Sequence, residues 1–207
     1  LENEFSEFLK GNIPTFSNPE ALCGYLLKEL CKMYAEKRWV QQFHVGATRN
    51  NNSEMLRKIG MNAGYDAISE QYFAQRLSVL LDDLNSAGQL TKTIIYNLNP
   101  TFNEVLATLA GNFNEGGMKS KVQFGAAWWF LDQLDGMKKQ MNTLSNIGLI
   151  STFVGMLTDS RSLLSFSRHD YFRRLLCNMF GNEMERGLLP NDEEWIGKII
   201  QDICYHN

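Results

Sequence analysis

The chain has 207 residues, 20 Lys+Arg against 23 Asp+Glu, a net charge of −3, and 44% apolar against 21% charged residues. These are the proportions of a globular protein, which excludes disordered, collagen-like and coiled-coil architectures. The slight acidity gives no electrostatic reason to bind nucleic acid or an anionic membrane, and no apolar run approaches the roughly 18 residues of a membrane span.

Residues 1–38 read as a helical segment. Asn18 can cap a helix and Pro19 suits its first position. Leu22, Tyr25, Leu26, Leu30, Met33 and Tyr34 then recur at a spacing near 3.6. From residue 39 the pattern changes. Short β-rich runs alternate with longer amphipathic stretches. The runs are Trp39–Val45, Thr93–Leu98, Lys121–Phe130 (strand in its first half) and Thr152–Leu157. The stretches expected to be helical are Gln71–Leu84, Phe102–Ala110, Gln133–Ile147, Asp170–Arg186 and Asp192–Cys204. Thr101 and Glu104 have the spacing of a capping box at the second of these.

Strand–helix alternation predicts an α/β fold with a parallel sheet and outer helices. Four units over residues 40–207 fit either a small doubly wound domain or half of an eight-unit barrel, which needs about 250 residues in full. Cys23, Cys31, Cys177 and Cys204 have no C-x-x-C spacing, so buried, reduced, cytosolic thiols are expected, with Cys177 and Met179 in the core. Phosphate-loop, nucleophile-elbow and H-x-H patterns are all missing from these residues.

Active sites on both candidate folds lie at the carboxyl ends of the strands. There the chain places His44, Gly46–Asn52 with Arg49, Tyr96–Pro100, Ala127–Phe130 with Trp128 and Trp129, and Thr158–Ser162 with Asp159 and Arg161. A histidine, asparagines, a tryptophan pair and an Asp/Arg couple on one rim suit a small, polar, anionic ligand. Taken singly, each residue has a plainer reading. His44 can be a satisfied core residue, Asp159 a helix cap, and Arg49 and Arg161 exposed ion pairs. Trp128 and Trp129 can be core, and Asn50–Asn52 turn formers. Arg168, His169, Arg173 and Arg174 read as a solvated basic helix face.

The segments QFHVGATRNNN (42–52), TIIYNLNP (93–100), NEVLATLAGNF (103–113), KVQFGAAWWFLDQLDGM (121–137), FVGMLTDSRSLLSFSRHDYFRRLLCN (153–178) and QDIC (201–204) resemble the uronate isomerases of the amidohydrolase superfamily. The resemblance runs in register from about residue 39 to the end. It implies that the chain is the carboxyl-terminal half of a distorted (β/α)8 TIM-type barrel. About four parallel strands with outer helices (39–207) would follow a helical segment (1–38). The opening at Leu1 and the lack of H-x-H agree with an amino-terminal half lying elsewhere.

For function, the resemblance implies an aldose–ketose isomerase acting on D-glucuronate and D-galacturonate, with a divalent metal, commonly zinc. Asp159 matches the family's last metal ligand and is the candidate base. Its His-x-His partners would lie outside this chain. Arg49 and Arg161 become grips for the uronate carboxylate. His44 becomes a substrate-oxygen contact or proton carrier, and Trp128 a lid over the sugar. Trp129 would point the other way if the strand persisted. The expected partners are uronate sugar acids and the other half of the barrel, and the expected location is cytoplasmic. A homo-oligomer is left open. The isolated chain is expected to be inactive. A metal-dependent hydrolase on the same barrel and a non-catalytic fragment domain are the competing readings.

Overall fold

The computed structural model describes residues 2–12, 17–160 and 162–207. The amino-terminal segment forms α1 (Glu2–Leu9) and α2 (Pro19–Glu36). Asn18 caps α2 as expected, its Oδ1 accepting the Ala21 N–H at 3.0 Å, and Pro19 sits where a missing N–H costs nothing. There follow β1 (Gln41–Val45), β2 (Ala47–Thr48), α3 (Ser53–Ile59), β3 (Ala67–Ile68) and α4 (Ala74–Ser86). The remainder is β4 (Thr93–Asn97), α5 (Asn103–Gly111), β5 (Val122–Phe124), α6 (Leu134–Ile147), α7 (Ser167–Glu185) and α8 (Glu193–Gln201).

Among the described residues, β1, β4 and β5 form a parallel sheet in the order β1-β4-β5, an arc of the kind a (β/α)8 barrel is built from. The register sets Phe43 beside Ile95 and Ile95 beside Phe124, on one face. That row joins Leu81, Leu106 and Met141 in the core, and α5 packs on β4, β5 and α6. The neighbouring row, His44 beside Tyr96, occupies the opposite face, because side chains alternate along a strand. β4 lies in the middle with all five residues buried, so its apolar run reads as a continuous stretch without alternation.

The carboxyl end of β4 is knotted by asparagines. Asn97 Nδ2 donates to Asn103 Oδ1 at 2.7 Å and to the Asn99 carbonyl. Asn99 Nδ2 donates to the Ser69 carbonyl at 2.8 Å, which ties the β3 region to the same end. Asn99 Oδ1 also accepts from Thr101 N–H and Oγ1, so the capping box of Thr101 with Glu104 does not form. A better acceptor, two residues upstream, has taken its donors.

Two regions depart from the sequence pattern. The short antiparallel pair β2–β3 and helix α3 occupy a stretch with no strong periodicity. More consequential is the fourth run, expected as a strand over Thr152–Leu157. Ile150–Thr152 forms a short 3-10 turn, and residues 153–160 then run without a ladder. Gly155 adopts φ +74°, and a Cβ there would meet the Ile203 carbonyl oxygen at 2.4 Å, so the extended run is bent at a position only glycine can fill. Backbone groups a neighbouring strand would bond are taken by side chains, Asn207 Nδ2 donating to the Phe153 carbonyl at 3.1 Å and Gln123 bonding on either side of it. Gln123 Nε2 donates to the Thr152 carbonyl at 2.9 Å, and Gln123 Oε1 accepts from the Val154 N–H at 3.0 Å.

Of the cysteines, Cys31 is buried and Cys204 half-buried, whereas Cys23 and Cys177 are exposed. Both exposed thiols depart from the expected burial: Cys23 faces solvent on α2, and Cys177 is not in the core. The inward stripe of α7 is Phe172, Leu175, Leu176 and Phe180, and one residue past Leu176 turns about 100° away from it. Met179 does pack against the core. No helix among the described residues is long and apolar enough to cross a membrane.

Candidate active site

His44 is the penultimate residue of β1 and Asp159 lies at the end of the clamped fourth segment, and the two converge. His44 Nε2 lies 3.6 Å from Asp159 Oδ2. The imidazole stacks on Tyr96 from the next strand (centroids 4.6 Å apart) and meets the edge of Trp128 at 4.8 Å. It is therefore held by aromatic neighbours while its outer side remains open, which is not the setting of a satisfied core histidine. Asp159 is 63% exposed and has φ +41°. It does not cap the following turn, since Ser162 Oγ accepts the Leu164 N–H instead at 3.3 Å.

The seat for Tyr96 is made by a missing side chain. A Cβ on Gly125 would come within 2.8 Å of the Tyr96 ring and 2.7 Å of Ile94 Cγ2. Burial pushes the Tyr96 phenol well above the usual tyrosine range, and the charge of Asp159 adds to the shift. Among the described residues, neither the Tyr96 hydroxyl nor the Trp128 indole N–H has a hydrogen-bond partner.

A cleft of about 550 Å3 opens beside Asp159, lined also by Arg49, Asn62, Asp66, Trp128, Trp129 and Arg168. Arg49 is fixed from three sides. Its Nε pairs with Asp66 Oδ1 at 3.1 Å, Nη2 donates to Asn62 Oδ1 at 2.6 Å, and the guanidinium lies 5.1 Å from the Trp129 ring centre. Asp66 also accepts the Asn50 N–H at 2.8 Å, so it anchors the turn and the arginine together. Among the described residues, two of the five guanidinium donors are used.

Trp128 and Trp129 do not point apart. The strand ends at Phe124, Trp129 turns at φ +52°, and the two rings stay 5.5 Å apart, one serving His44 and the other Arg49. Arg161, the second expected grip, lies outside the described residues. Three residues of the site region carry no signal for it in the sequence: Asp66, Asp132 and Arg168. By sequence Arg168 reads as part of a solvated basic face. In fact its Nη1 donates to the Thr158 carbonyl at 3.1 Å and its Nη2 pairs with Asp132, whose side chain is 3% exposed. The first turn of α7 aims Arg168 inward, away from the face that carries Arg174.

Among the described residues, no group of three or more His, Cys, Asp or Glu gathers to hold a metal ion by itself. Asp159 and His44 bring one carboxylate and one imidazole together, two donor types that zinc accepts.

Comparison with known proteins gives one answer at every level. The glucuronate isomerase family model matches residues 1–207. A uronate isomerase of Flavobacterium johnsoniae is 63% identical over 178 residues, 86% of this chain and 38% of that protein. One of Shouchella clausii is 50% identical over 206 residues, 100% of this chain and 44% of that protein. The chain thus spans less than half the length of these curated relatives. Among solved structures, the uronate isomerase of Thermotoga maritima superposes with a TM-score of 0.79 at 32% identity, over 88% of this chain and 38% of that one. The glucuronate isomerase of Caulobacter crescentus gives 0.77 at 27% identity, over 87% and 36%. With a match along its whole length and the same partial-barrel arc, the chain belongs to the glucuronate isomerase family.

Proposed function

We propose that these residues form the carboxyl-terminal half of a uronate isomerase active site, interconverting D-glucuronate with D-fructuronate and D-galacturonate with D-tagaturonate. The observation that carries the reading is the His44–Asp159 pair, 3.6 Å apart at the carboxyl ends of barrel segments, with Arg49 across the same cleft. Aldose–ketose isomerisation moves one proton between adjacent carbons without net oxidation. It needs a base at C1/C2, a proton carrier at the neighbouring oxygens, and an anchor for the acid group.

Asp159 is the base: its exposed carboxylate takes the proton from C2 and returns it to C1. His44, held flat on Tyr96, handles the proton at the sugar oxygens. Arg49, already oriented by Asp66 and Asn62, grips the uronate carboxylate, with Arg161 as the second grip. Trp128 covers one side of the site and limits water. The cleft volume suits a six-carbon acid. Asp159 fits one place in the ligand set of a divalent ion such as zinc, the His-x-His partners belonging to the other half of the barrel. Such an ion, when bound, polarises the substrate's oxygens.

The test uses the complete protein that carries this chain. It should turn over D-glucuronate or D-galacturonate. Asp159→Asn should lower kcat by about 10²- to 10⁴-fold, the usual range for a lost acid–base group. Arg49→Met should act mainly on KM for the uronate. Turnover of amides or lactones with none of either uronate sinks the proposal in favour of hydrolysis.

A further inference from the structure

We infer that Arg168 is a positioning residue for Asp159, acting through the Thr158 carbonyl and itself fixed by the buried carboxylate of Asp132. The observations are local and connected. The segment after Thr152 has no ladder among the described residues, and Gln123 and Asn207 hold only its first residues. Further along, Arg168 Nη1 donates to the Thr158 carbonyl at 3.1 Å, and its Nη2 pairs with Asp132 Oδ2. That carbonyl belongs to the peptide unit that contains the nitrogen of Asp159. Holding it fixes the plane from which the Asp159 side chain departs.

The restraint matters because Asp159 has φ +41°, a left-handed value that a residue with a Cβ keeps only when its surroundings impose it. Asp132 supplies the other half of the device. Its side chain is 3% exposed, and a carboxylate so buried demands a cation beside it. The demand pins the guanidinium in place, and the free arm of the fork reaches Thr158. A lysine has the charge but not the fork, so it can satisfy Asp132 or Thr158 but not both.

The kinetic part of the test rests on reading Asp159 as the base, whereas the structural part does not. In the complete protein, Arg168→Lys and Asp132→Asn should each speed hydrogen exchange of the peptide covering residues 156–164 severalfold. The β4 peptide should not change. With D-glucuronate as probe, kcat should fall about 10- to 100-fold, with KM within about twofold of the parent, the pattern of an interaction needed only in the transition state. Unchanged exchange at 156–164 overturns the inference. So does unchanged kcat, and so does a raised KM at constant kcat, which would make Arg168 a direct substrate grip. Should Asp132→Asn fail to fold, Arg168→Lys, which keeps both charges, decides the matter. If the parent protein turns over neither uronate, the isomerase reading falls, and the exchange measurement still decides the positioning role.

Discussion

β4 and the Phe153–Ser160 segment both deliver residues to the site, Tyr96 beneath His44 and Asp159 to the cleft, but they are held by different means. β4 is bonded to parallel neighbours on both sides and buried throughout. The later segment has no strand partner among the described residues and hangs on three side chains, Gln123 and Asn207 near its start and Arg168 near its end. A ladder shares its load over many backbone groups, so no single substitution releases it. A clamp made by one side chain can be lost alone. The residue on the rigid element, Tyr96, serves as a platform, while the exposed carboxylate sits on the clamped element. Fold stability and site geometry should therefore be separable by mutation.

The largest expected effect falls on the ladder region. Ile95 is fully buried between β1 and β5, and Ile95→Ala should cost about 2–5 kcal/mol in denaturant unfolding. A loss under about 1 kcal/mol would break the comparison, since β4 would not then be the rigid half.

Next comes the clamp. Gln123→Leu keeps the shape but removes both of the hydrogen bonds that Gln123 makes to the fourth segment and strands the Thr152 carbonyl and the Val154 N–H. The expected cost is about 1–3 kcal/mol. Hydrogen exchange should accelerate over residues 150–156 and not in β4. Acceleration across both would show that the segment is part of the sheet's cooperative unit.

The smallest effect concerns the platform itself. The Tyr96 phenol is held neutral, first by burial and then by the Asp159 charge, so its pKa in the folded protein lies above the unfolded value near 10. Between those two values the folded state binds the extra proton. Stability from this group is complete below pH 10 and falls as pH rises, by at most about 1.4 kcal/mol per unit. Tyr96→Phe should flatten that alkaline slope in pH-dependent unfolding and change little at pH 7. An unchanged slope would mean that the hydroxyl is not desolvated as described.

Much of this arrangement is legible in sequence where the signal is local. Asn18–Pro19 marks the start of α2, and the apolar run of β4 announces a buried strand. The amphipathic stripe of α6 places that helix to within a residue. The rim residues His44, Arg49, Trp128 and Asp159 are also visible, because parallel strands present their carboxyl ends together. What is not visible depends on distant partners. Thr152–Leu157 has the composition of a strand, but a strand is defined by its neighbour, and here Gly155 bends the run while Gln123 occupies its bonding groups. Arg168 looks solvated because charge spacing along a helix does not show where the helix begins. Its partner Asp132 lies on another loop, and the same holds for Arg49 with Asp66.

The absent side chain of Gly125 carries a consequence in genetic terms. Positions 94, 96 and 125 share one small volume, so their substitutions are not independent. Gly125→Ala should behave as a loss-of-function allele that tilts Tyr96 and, through it, His44. Its intragenic suppressors should be sought at Ile94, where trimming to valine returns part of the room, before anywhere nearer the reacting carboxylate. A histidine at the end of one strand thus owes its orientation to a hydrogen atom two strands away.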